Sequence, residues 1–330
     1  MLTIAMTMLT SVAAIAQPAE NAKPASGAQA AASALDKIID PGVKPQRLAE
    51  ETEFRFLEGP VWVSKGRDHA GYLLFSDIPA DAIYKWIPNE SGGSIETLVK
   101  PSRHSNGLML DAQGRLLVCE HERRVVRFDT IAADAKPTVL AEAFEGKRLN
   151  SPNDLDIKSD GAIYFTDPPY GLNPGLGKAG EKELDYHGVF RIGADGQVSL
   201  LSKELKMPNG IAFGPDEKLL YIADMGKSEI RVFDVKADGS VENNRLFAEV
   251  KTEAGKGAGG DGVRVDVEGN VYVAGRSGIF VFDSKGAKLG VIAVPQGPAN
   301  LCFGGDDYKT MYITAQKGLY RVAVKIAGKP

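Results

Sequence analysis

Residues 163–167 read Ile163-Tyr164-Phe165-Thr166-Asp167, a short apolar run that ends on an acidic side chain. Such β-branched and aromatic residues favour strands. Five similar runs, each ending on a small or acidic residue, occur along the chain: Tyr72–Asp77, Leu116–Glu120, Leu220–Asp224, Val271–Gly275 and Met311–Ala315. Their last residues lie 40 to 57 residues apart, so the sequence contains six units of about that length.

Each unit carries further strand and turn signals. Turn sequences such as Ser159-Asp160-Gly161 precede most of the runs, and β-rich stretches such as Ile230–Asp234 follow them. The chain has 37 Gly and 18 Pro, as many tight turns require, and almost no helical periodicity. We therefore predict an all-β fold, a six-bladed β-propeller with four-stranded antiparallel blades.

The last unit ends with Leu319–Val324, which is only its third strand. An unpaired edge would then remain on the sixth blade. We predict that the N-terminal stretch Val43–Ala49 supplies the fourth strand and closes the ring, because closure removes the exposed edge.

The N-terminal segment differs in composition from the repeats. Residues 1–16 are uncharged and mostly apolar, and Ala14-Ile15-Ala16 resembles a signal-peptidase site, so we predict a signal peptide over 1–16. Residues 17–40 are interpreted as a flexible leader, and 41–330 as a single propeller domain. This organisation indicates a periplasmic or secreted protein. A frayed tail on a cytoplasmic protein is the alternative.

The overall charge excludes some partners. With 39 Lys and Arg against 43 Asp and Glu, the net charge is −4, so no basic field is available for nucleic acid or an anionic membrane. Residues 1–16 are too short to span a bilayer comfortably. We expect a small-molecule substrate and a monomer or weak oligomer. The two cysteines, Cys119 and Cys302, lie in strand-like runs and are expected to be buried free thiols.

The repeat also predicts which residues face the propeller axis. The innermost strand of every blade starts at the same face, so the residues at these starts converge. Counting back from the six runs gives oxygen-bearing side chains in every blade: Glu58, Asn106, Asn153, Asn209, Asp261 and Asn300. We call these six residues the axial ring.

Any one of these residues could simply belong to a turn, since Asn-Gly and Asp-Gly are common turn pairs. Six oxygen acceptors at one phase of six repeats are better explained by a ligand. A ring of carboxylates and amides suits Ca²⁺ best, with Mg²⁺, Mn²⁺ and Zn²⁺ remaining open as alternatives.

The second strands return to the same face, so their ends should form the rim of a pocket. We expect substrate contacts from Asn106, Asn153, His104, His121, Tyr170 and Arg276. Backbone-bonded loop histidines are the alternative for His104 and His121. Asp77 and Asp224 are expected to bond backbone amides of the neighbouring blade, whereas the role of Asp167 stays open. The long connection Gly171–Tyr186 is interpreted either as a lid or as an ordinary surface loop.

The motifs as a set resemble the senescence marker protein/gluconolactonase family, also called regucalcin-like. The resemblance covers nearly all of residues 50–324 and rests on Glu58–Trp62, Leu149–Asp154, Phe165–Gly171, Pro208–Phe213 and Gly260–Gly262. It implies a six-bladed propeller with one central divalent cation, usually Ca²⁺. The implied metal residues are Glu58, Asn209 and Asp261, with Asn153 ligating the metal or holding substrate. Some relatives have a second calcium site using an Asp where this chain has Arg264, so that site is not expected here.

The resemblance implies an enzyme, a gluconolactonase-like hydrolase of carboxylic esters that converts a sugar lactone to the aldonic acid. The cation would polarise the lactone carbonyl while an activated water attacks. By analogy Asp261 is the base, and a metal-bound hydroxide is the competing account. Two other interpretations stay open: an aryl esterase or organophosphate hydrolase on the same scaffold, and a non-catalytic propeller that binds a partner.

Overall fold

The computed structural model of the protein describes residues 33–50, 54–67 and 69–330. Within this part, Ser33–Pro330 form one compact unit. The predicted signal peptide and most of the predicted leader lie outside the described residues. None of the described helices is long and apolar enough to cross a membrane.

The described chain contains 26 strands, almost all of which belong to six four-stranded antiparallel sheets. In chain order the strands of the first two blades, preceded by one N-terminal strand, are β1 (Gln46–Glu50), β2 (Leu57–Val63), β3 (Tyr72–Asp77), β4 (Ala82–Ile87), β5 (Ser94–Val99), β6 (Ser105–Leu110), β7 (Leu116–Glu120), β8 (Arg124–Phe128) and β9 (Thr138–Ala141). A small hairpin and the third blade follow as β10 (Ala143–Phe144), β11 (Lys147–Arg148), β12 (Leu155–Ile157), β13 (Ile163–Asp167), β14 (Gly188–Ile192) and β15 (Val198–Ser202).

The last three blades continue the pattern. Their strands are β16 (Pro208–Phe213), β17 (Leu219–Asp224), β18 (Glu229–Val235), β19 (Val241–Glu249), β20 (Val263–Val265), β21 (Val271–Gly275), β22 (Gly278–Phe282), β23 (Lys288–Ile292), β24 (Asn300–Gly304), β25 (Thr310–Ala315) and β26 (Gly318–Ala323). The described helices are two short 3₁₀ turns, Ala34–Lys37 and Tyr170–Leu172. The predicted six-bladed, all-β architecture is confirmed.

The sixth sheet has the order β1-β26-β25-β24. Strand β1 pairs antiparallel with β26, with Gln46 opposite Arg321 and Arg47 opposite Tyr320. This is the closure that the incomplete last unit predicted, and it pairs the edge of β26 that would otherwise be open.

Six apolar clusters, one between each pair of neighbouring blades, hold the ring together. In one of them Trp62 of the first blade stacks on Tyr312 of the sixth, with ring centroids 5.0 Å apart. The middle strands are packed on both faces, so all six residues of β3 are buried. This explains why the repeated runs are continuously apolar rather than alternating. Cys119 and Cys302 are buried and free, as expected.

The propeller packing begins before the boundary at residue 41 that the composition suggested. Ser33 caps the turn Ala34–Lys37, with its hydroxyl accepting from the Leu35 amide and Asp36 accepting from the Ser33 amide. Ile38 and Ile39 are then buried in the cluster between the fifth and sixth blades. Residues 33–40 are therefore part of the compact unit.

Candidate active site

The axial ring lies where the inner strands start. Glu58, Asn106, Asn209 and Asn300 stand at or next to the first residues of β2, β6, β16 and β24. Asn153 and Asp261 precede β12 and β20 by two residues. The structure thus places all six predicted axial residues at the same end of the six inner strands.

A bulge lies at or directly after the axial residue in three blades. The pairing register shifts between Glu58 and Val61 in β2, directly after the axial residue, and across the axial residue in the other two strands, at Ser105/Leu108 in β6 and Pro208/Ile211 in β16. Bulges bend a strand and re-aim its side chains. They therefore free the axial side chain from the regular alternation of its sheet.

The residue after the axial one is glycine in four blades, which allows neighbouring blades to approach closely. The Gly107 amide donates to the Asn153 carbonyl at 2.8 Å, and a Cβ on Gly107 would lie 2.7 Å from that oxygen. Gly210 packs in the same way against the backbone of Asp261. Hydroxyls add to this, since Thr166 Oγ1 donates to the Asn209 carbonyl at 2.7 Å. The ring is thus assembled by direct contacts between successive blades.

Glu58 and Asp261 give the ring its electrostatic character. Burial raises the pKa of Glu58, and nearby Asp154 adds to this, against donors on Gly59 and Asn300. Desolvation and the carboxylates of Glu58 and Asp154 likewise raise the pKa of Asp261 well above its usual range. Five axial residues are buried, whereas Asp261 keeps partial solvent access. Asp261 is therefore the axial carboxylate that a substrate or water can reach.

A third buried carboxylate, Asp154, was not assigned by the sequence. It is fully buried, and Arg264 Nη1 donates to its Oδ2 at 3.3 Å. Asn300 Nδ2 donates to the same oxygen at 3.4 Å. The sequence does contain a signal that could have singled out Asp154. Glycine follows the axial residue in four blades, whereas Asp154 stands at this position in the third blade. Arg264 therefore supplies a positive charge beside the ring.

His121 and Asn106 are linked in a buried chain of hydrogen bonds. The His121 ring has 1% exposure, and its Nδ1 lies 2.6 Å from the Leu176 carbonyl, which can only accept. Nδ1 therefore carries the proton, and Nε2 accepts from Asn106 Nδ2 at 3.1 Å. Burial lowers the pKa of His121 to about 4, so the ring is neutral. The Asn106 amide is thus oriented with Oδ1 free, and this buried oxygen has no partner among the described residues.

The connection Gly171–Tyr186 is anchored over the second and third blades. Its Leu176 carbonyl accepts from His121, its Leu184 lies in an apolar cluster, and the Tyr186 carbonyl accepts from Asn150 at 2.9 Å. The connection is therefore anchored at these points and contacts the axial ring through His121, while most of its residues between 173 and 183 are exposed.

Tyr170 lies beside the ring. Its hydroxyl lies 3.0 Å from Met225 Sδ, which also contacts Asn209 Nδ2 at 3.7 Å. Burial and then the Asp261 carboxylate raise the pKa of Tyr170, so the hydroxyl remains a donor. The predicted proximity of Tyr170 to the axial residues is seen in the structure.

His104 and Arg276 lie further out. His104 Nδ1 is 3.5 Å from Glu122 Oε1 and 4.0 Å from Asp81 Oδ1, in a charged group at the rim. Arg276 is exposed, and its backbone amide bonds Ala258. No described contact joins either side chain to the axial ring.

Asp77, Asp167 and Asp224 have equivalent structural roles. Asp167 accepts the amides of Asn150 and Ser151, both at 2.7 Å. Asp77 and Asp224 each accept consecutive backbone amides in the same way. These amides belong to the segment that leads into the inner strand of the same blade, so the expectation of a bond to the neighbouring blade was wrong. Asp167 proves to be the third member of this set.

The donor set around the ring fits a divalent cation. Within the described residues no ion pair involves Glu58 or Asp261, while Asp154 is paired with Arg264. Glu58 and Asp261 thus have no ion-pair partner, and the buried Asn106 Oδ1 has no hydrogen-bond partner, among the described residues. No group of three or more His, Cys, Asp or Glu in the described chain could hold a metal, so amide oxygens would have to complete the ligand set.

Comparison with known proteins agrees with this geometry. Residues 56–317 match the family model described as the SMP-30/Gluconolactonase/LRE-like region. The chain is 35% identical over 314 residues to a gluconolactonase of Zymomonas mobilis, covering 89% of this chain and 85% of the relative. It is 25% identical over 277 residues to a pentonolactonase of Haloferax volcanii, covering 81% and 84%.

A solved gluconolactonase from Xanthomonas campestris superposes with a TM-score of 0.79 at 33% identity, covering 89% of this chain and 94% of that one. Each match covers at least four fifths of both chains, and the superposition shows that the fold is shared with the solved gluconolactonase. The chain belongs to the SMP-30/gluconolactonase/LRE-like family.

Proposed function

We propose that this protein hydrolyses a sugar lactone, with a gluconolactone-type substrate, to the aldonic acid. The observation that supports this most is the pair Glu58 and Asp261, two desolvated carboxylates that lie in a ring of amides and form no ion pair within the part of the chain that the structure describes. The relatives named gluconolactonase, at 35% and 33% identity, support the choice of substrate.

A divalent cation, most simply Ca²⁺, would be held by Glu58, Asn153, Asn209 and Asp261. The oxygen-only character of these side chains favours Ca²⁺ over metals that prefer nitrogen or sulfur. When bound, the cation supplies Lewis-acid polarisation of the lactone carbonyl.

Asp261 is the proposed base. Asp261 is the axial carboxylate residue that keeps partial solvent access, so a water can approach it. A bound cation would lower the pKa that desolvation raises, so the assignment rests on position and not on the pKa. A water beside the solvent-accessible side of Asp261 would give its proton to the carboxylate as its oxygen attacks the lactone carbonyl carbon. Breakage of the ring C–O bond then returns the proton to the leaving alkoxide, which becomes the free hydroxyl.

The other residues position the substrate. Tyr170 keeps its proton and offers a hydroxyl donor to the substrate's oxygens. Asn106 offers Oδ1 because His121 holds its amide in one orientation.

The central experiment measures acid release from glucono-δ-lactone, an aryl ester and a phosphotriester, before and after chelation and after return of Ca²⁺. We expect lactone hydrolysis to be the fastest reaction, to be lost on chelation and to return with Ca²⁺. Chelated protein that hydrolyses the lactone as fast as the Ca²⁺-loaded form would contradict the proposal.

Glu58→Gln separates metal binding from general damage. Ca²⁺ at about a hundred times its Kd should stabilise the wild type by about 3 kcal/mol in thermal unfolding, and this gain should vanish in the variant. Glu96→Gln is the matched control, since Glu96 is an exposed residue of the same blade. Equal Ca²⁺ stabilisation of wild type and Glu58→Gln would exclude Glu58 as a ligand.

A further inference from the structure

A second concave site lies at the other end of the inner strands. A cavity of about 780 Å³ is lined by residues at the ends of these strands: Val63, Leu110, Ile157, Phe213, Val265 and Phe303. The axial ring stands at their starts, so the proposed hydrolysis makes no use of this cavity. Its volume is that of a site for a small organic molecule.

Two cationic groups on this cavity have unused donors. Arg264 is 8% exposed, and its Nη1 is engaged by Asp154 at 3.3 Å and by the Val263 carbonyl at 2.7 Å. Its Nη2 is buried and has no hydrogen-bond partner among the described residues. The Nζ of Lys329 is buried and has no hydrogen-bond partner among the described residues, although it pairs with Asp156 Oδ2 at 3.9 Å and lies 5.3 Å from the centre of the Phe213 ring.

The carboxylates on the cavity wall are already occupied. Asp156 accepts the backbone amides of Ile157 at 2.8 Å and Phe213 at 2.7 Å. Asp111 accepts from Arg115 Nε at 2.6 Å, and Glu217 accepts from the Ser159 hydroxyl and amide. The fourth carboxylate, Asp160, accepts the Ala162 amide at 3.0 Å and pairs with Lys158 at 3.2 Å. An incoming anion would therefore meet two cationic groups with unused hydrogen-bond donors, and carboxylates that already accept hydrogen bonds.

The remaining wall is largely apolar. Trp62, Phe213 and Phe303 contribute aromatic side chains. A phosphate dianion would leave several oxygens without donors against this surface, which is costly. A monoanion with an apolar body matches both the two donors and the aromatic wall.

We propose that this cavity binds a small organic carboxylate, with its carboxylate on Arg264 Nη2 and Lys329 Nζ and its apolar body against Trp62 and Phe303. The site is separate from the axial ring and carries a different ligand chemistry. It does not depend on the proposed lactone hydrolysis.

The test uses benzoate as the probe and benzyl alcohol as its neutral counterpart, with the whole protein loaded with Ca²⁺. Binding is followed by calorimetry and by the fluorescence of Trp62 in a Trp86→Phe background, since the chain has two tryptophans. We expect benzoate to bind at least tenfold more tightly than benzyl alcohol and to change the Trp62 emission, because charge-assisted hydrogen bonds to buried donors contribute about a factor of ten or more.

Two variants locate the site. Lys329→Gln should weaken benzoate about tenfold, whereas Lys325→Gln, an exposed lysine paired with Asp40, should leave affinity unchanged. The double variant Arg264→Met/Asp154→Asn removes the guanidinium without stranding a buried charge and should also weaken benzoate about tenfold. Benzoate affinity equal to that of benzyl alcohol, unchanged affinity in Lys329→Gln, or no binding at about 10 mM would each overturn the proposal.

Discussion

At their starts the inner strands present oxygen-bearing side chains to the axis, whereas at their ends the same strands line an aromatic cavity with two unused cationic donors. The buried pair Asp154 and Arg264 lies between these two regions. The starts are set by bulges and close glycine contacts that recur in several blades, while the ends carry apolar residues of different sizes, such as Val63, Leu110 and Phe303. One scaffold can thus keep two opposite ligand chemistries apart along one axis.

Asp261→Asn should break the first region and leave the second intact. Removing the proposed base while keeping the side-chain shape should lower the rate of lactone hydrolysis at least about a thousandfold. Initial rates in a pH-stat assay measure this, with the exposed Asp195→Asn as control. Benzoate binding should not change. A variant that keeps more than about a tenth of the wild-type rate would remove Asp261 from the mechanism.

Substitutions in the Asp154–Arg264 pair test how much this ion pair, which lies between the two regions, contributes to the stability of the protein. Arg264→Met leaves Asp154 buried without its cation and should destabilise the protein by about 3–5 kcal/mol in urea unfolding. Adding Asp154→Asn should restore most of this loss, because the stranded charge is then gone. A double variant no more stable than the single one would show that the pair is not coupled.

The pH dependence of stability tests the neutral His121 behind the ring. Its pKa is about 4 in the folded protein against 6.5 in a free side chain, so between these values only the unfolded chain takes up the proton. Its contribution is therefore complete above pH 6.5 and is lost as the pH falls towards 4, by about 3 kcal/mol at most. Unfolding curves of wild type and His121→Gln at several pH values measure this. Identical pH profiles would contradict the assignment.

Tyr170→Phe should have the smallest effect. Loss of one hydroxyl donor to substrate should cost about 1 kcal/mol, or roughly a fivefold rise in KM with little change in kcat. Steady-state kinetics separates the two parameters, and Tyr186→Phe is the control in the connection next to it. A fall in kcat at constant KM would instead assign the hydroxyl to the chemical step.

The sequence predicted the blades, the closing strand and the axial ring because all three follow from repeat phase. The contacts of residues that do not recur at the same position in every repeat could not be predicted in this way. The ion pair of Asp154 and Arg264 joins two residues that lie 110 positions apart in the sequence and in different blades. His121 is bonded to the carbonyl of Leu176, which lies in a connection that is not part of the repeat. The packing of residues 33–40 depends on the cluster between the fifth and sixth blades, whose residues lie far away in the sequence. Such contacts depend on packing that no local pattern encodes.

The pairing of β1 with β26 has a topological consequence. Because one blade takes strands from both ends of the described chain, the ring is closed by hydrogen bonds at this point and by covalent connections at the other blade boundaries. Joining the two ends and opening the chain between two other blades would give a circular permutant with the same set of strand pairs. The strand pairing of the propeller is thus circular, and the termini could lie at another blade boundary without changing it.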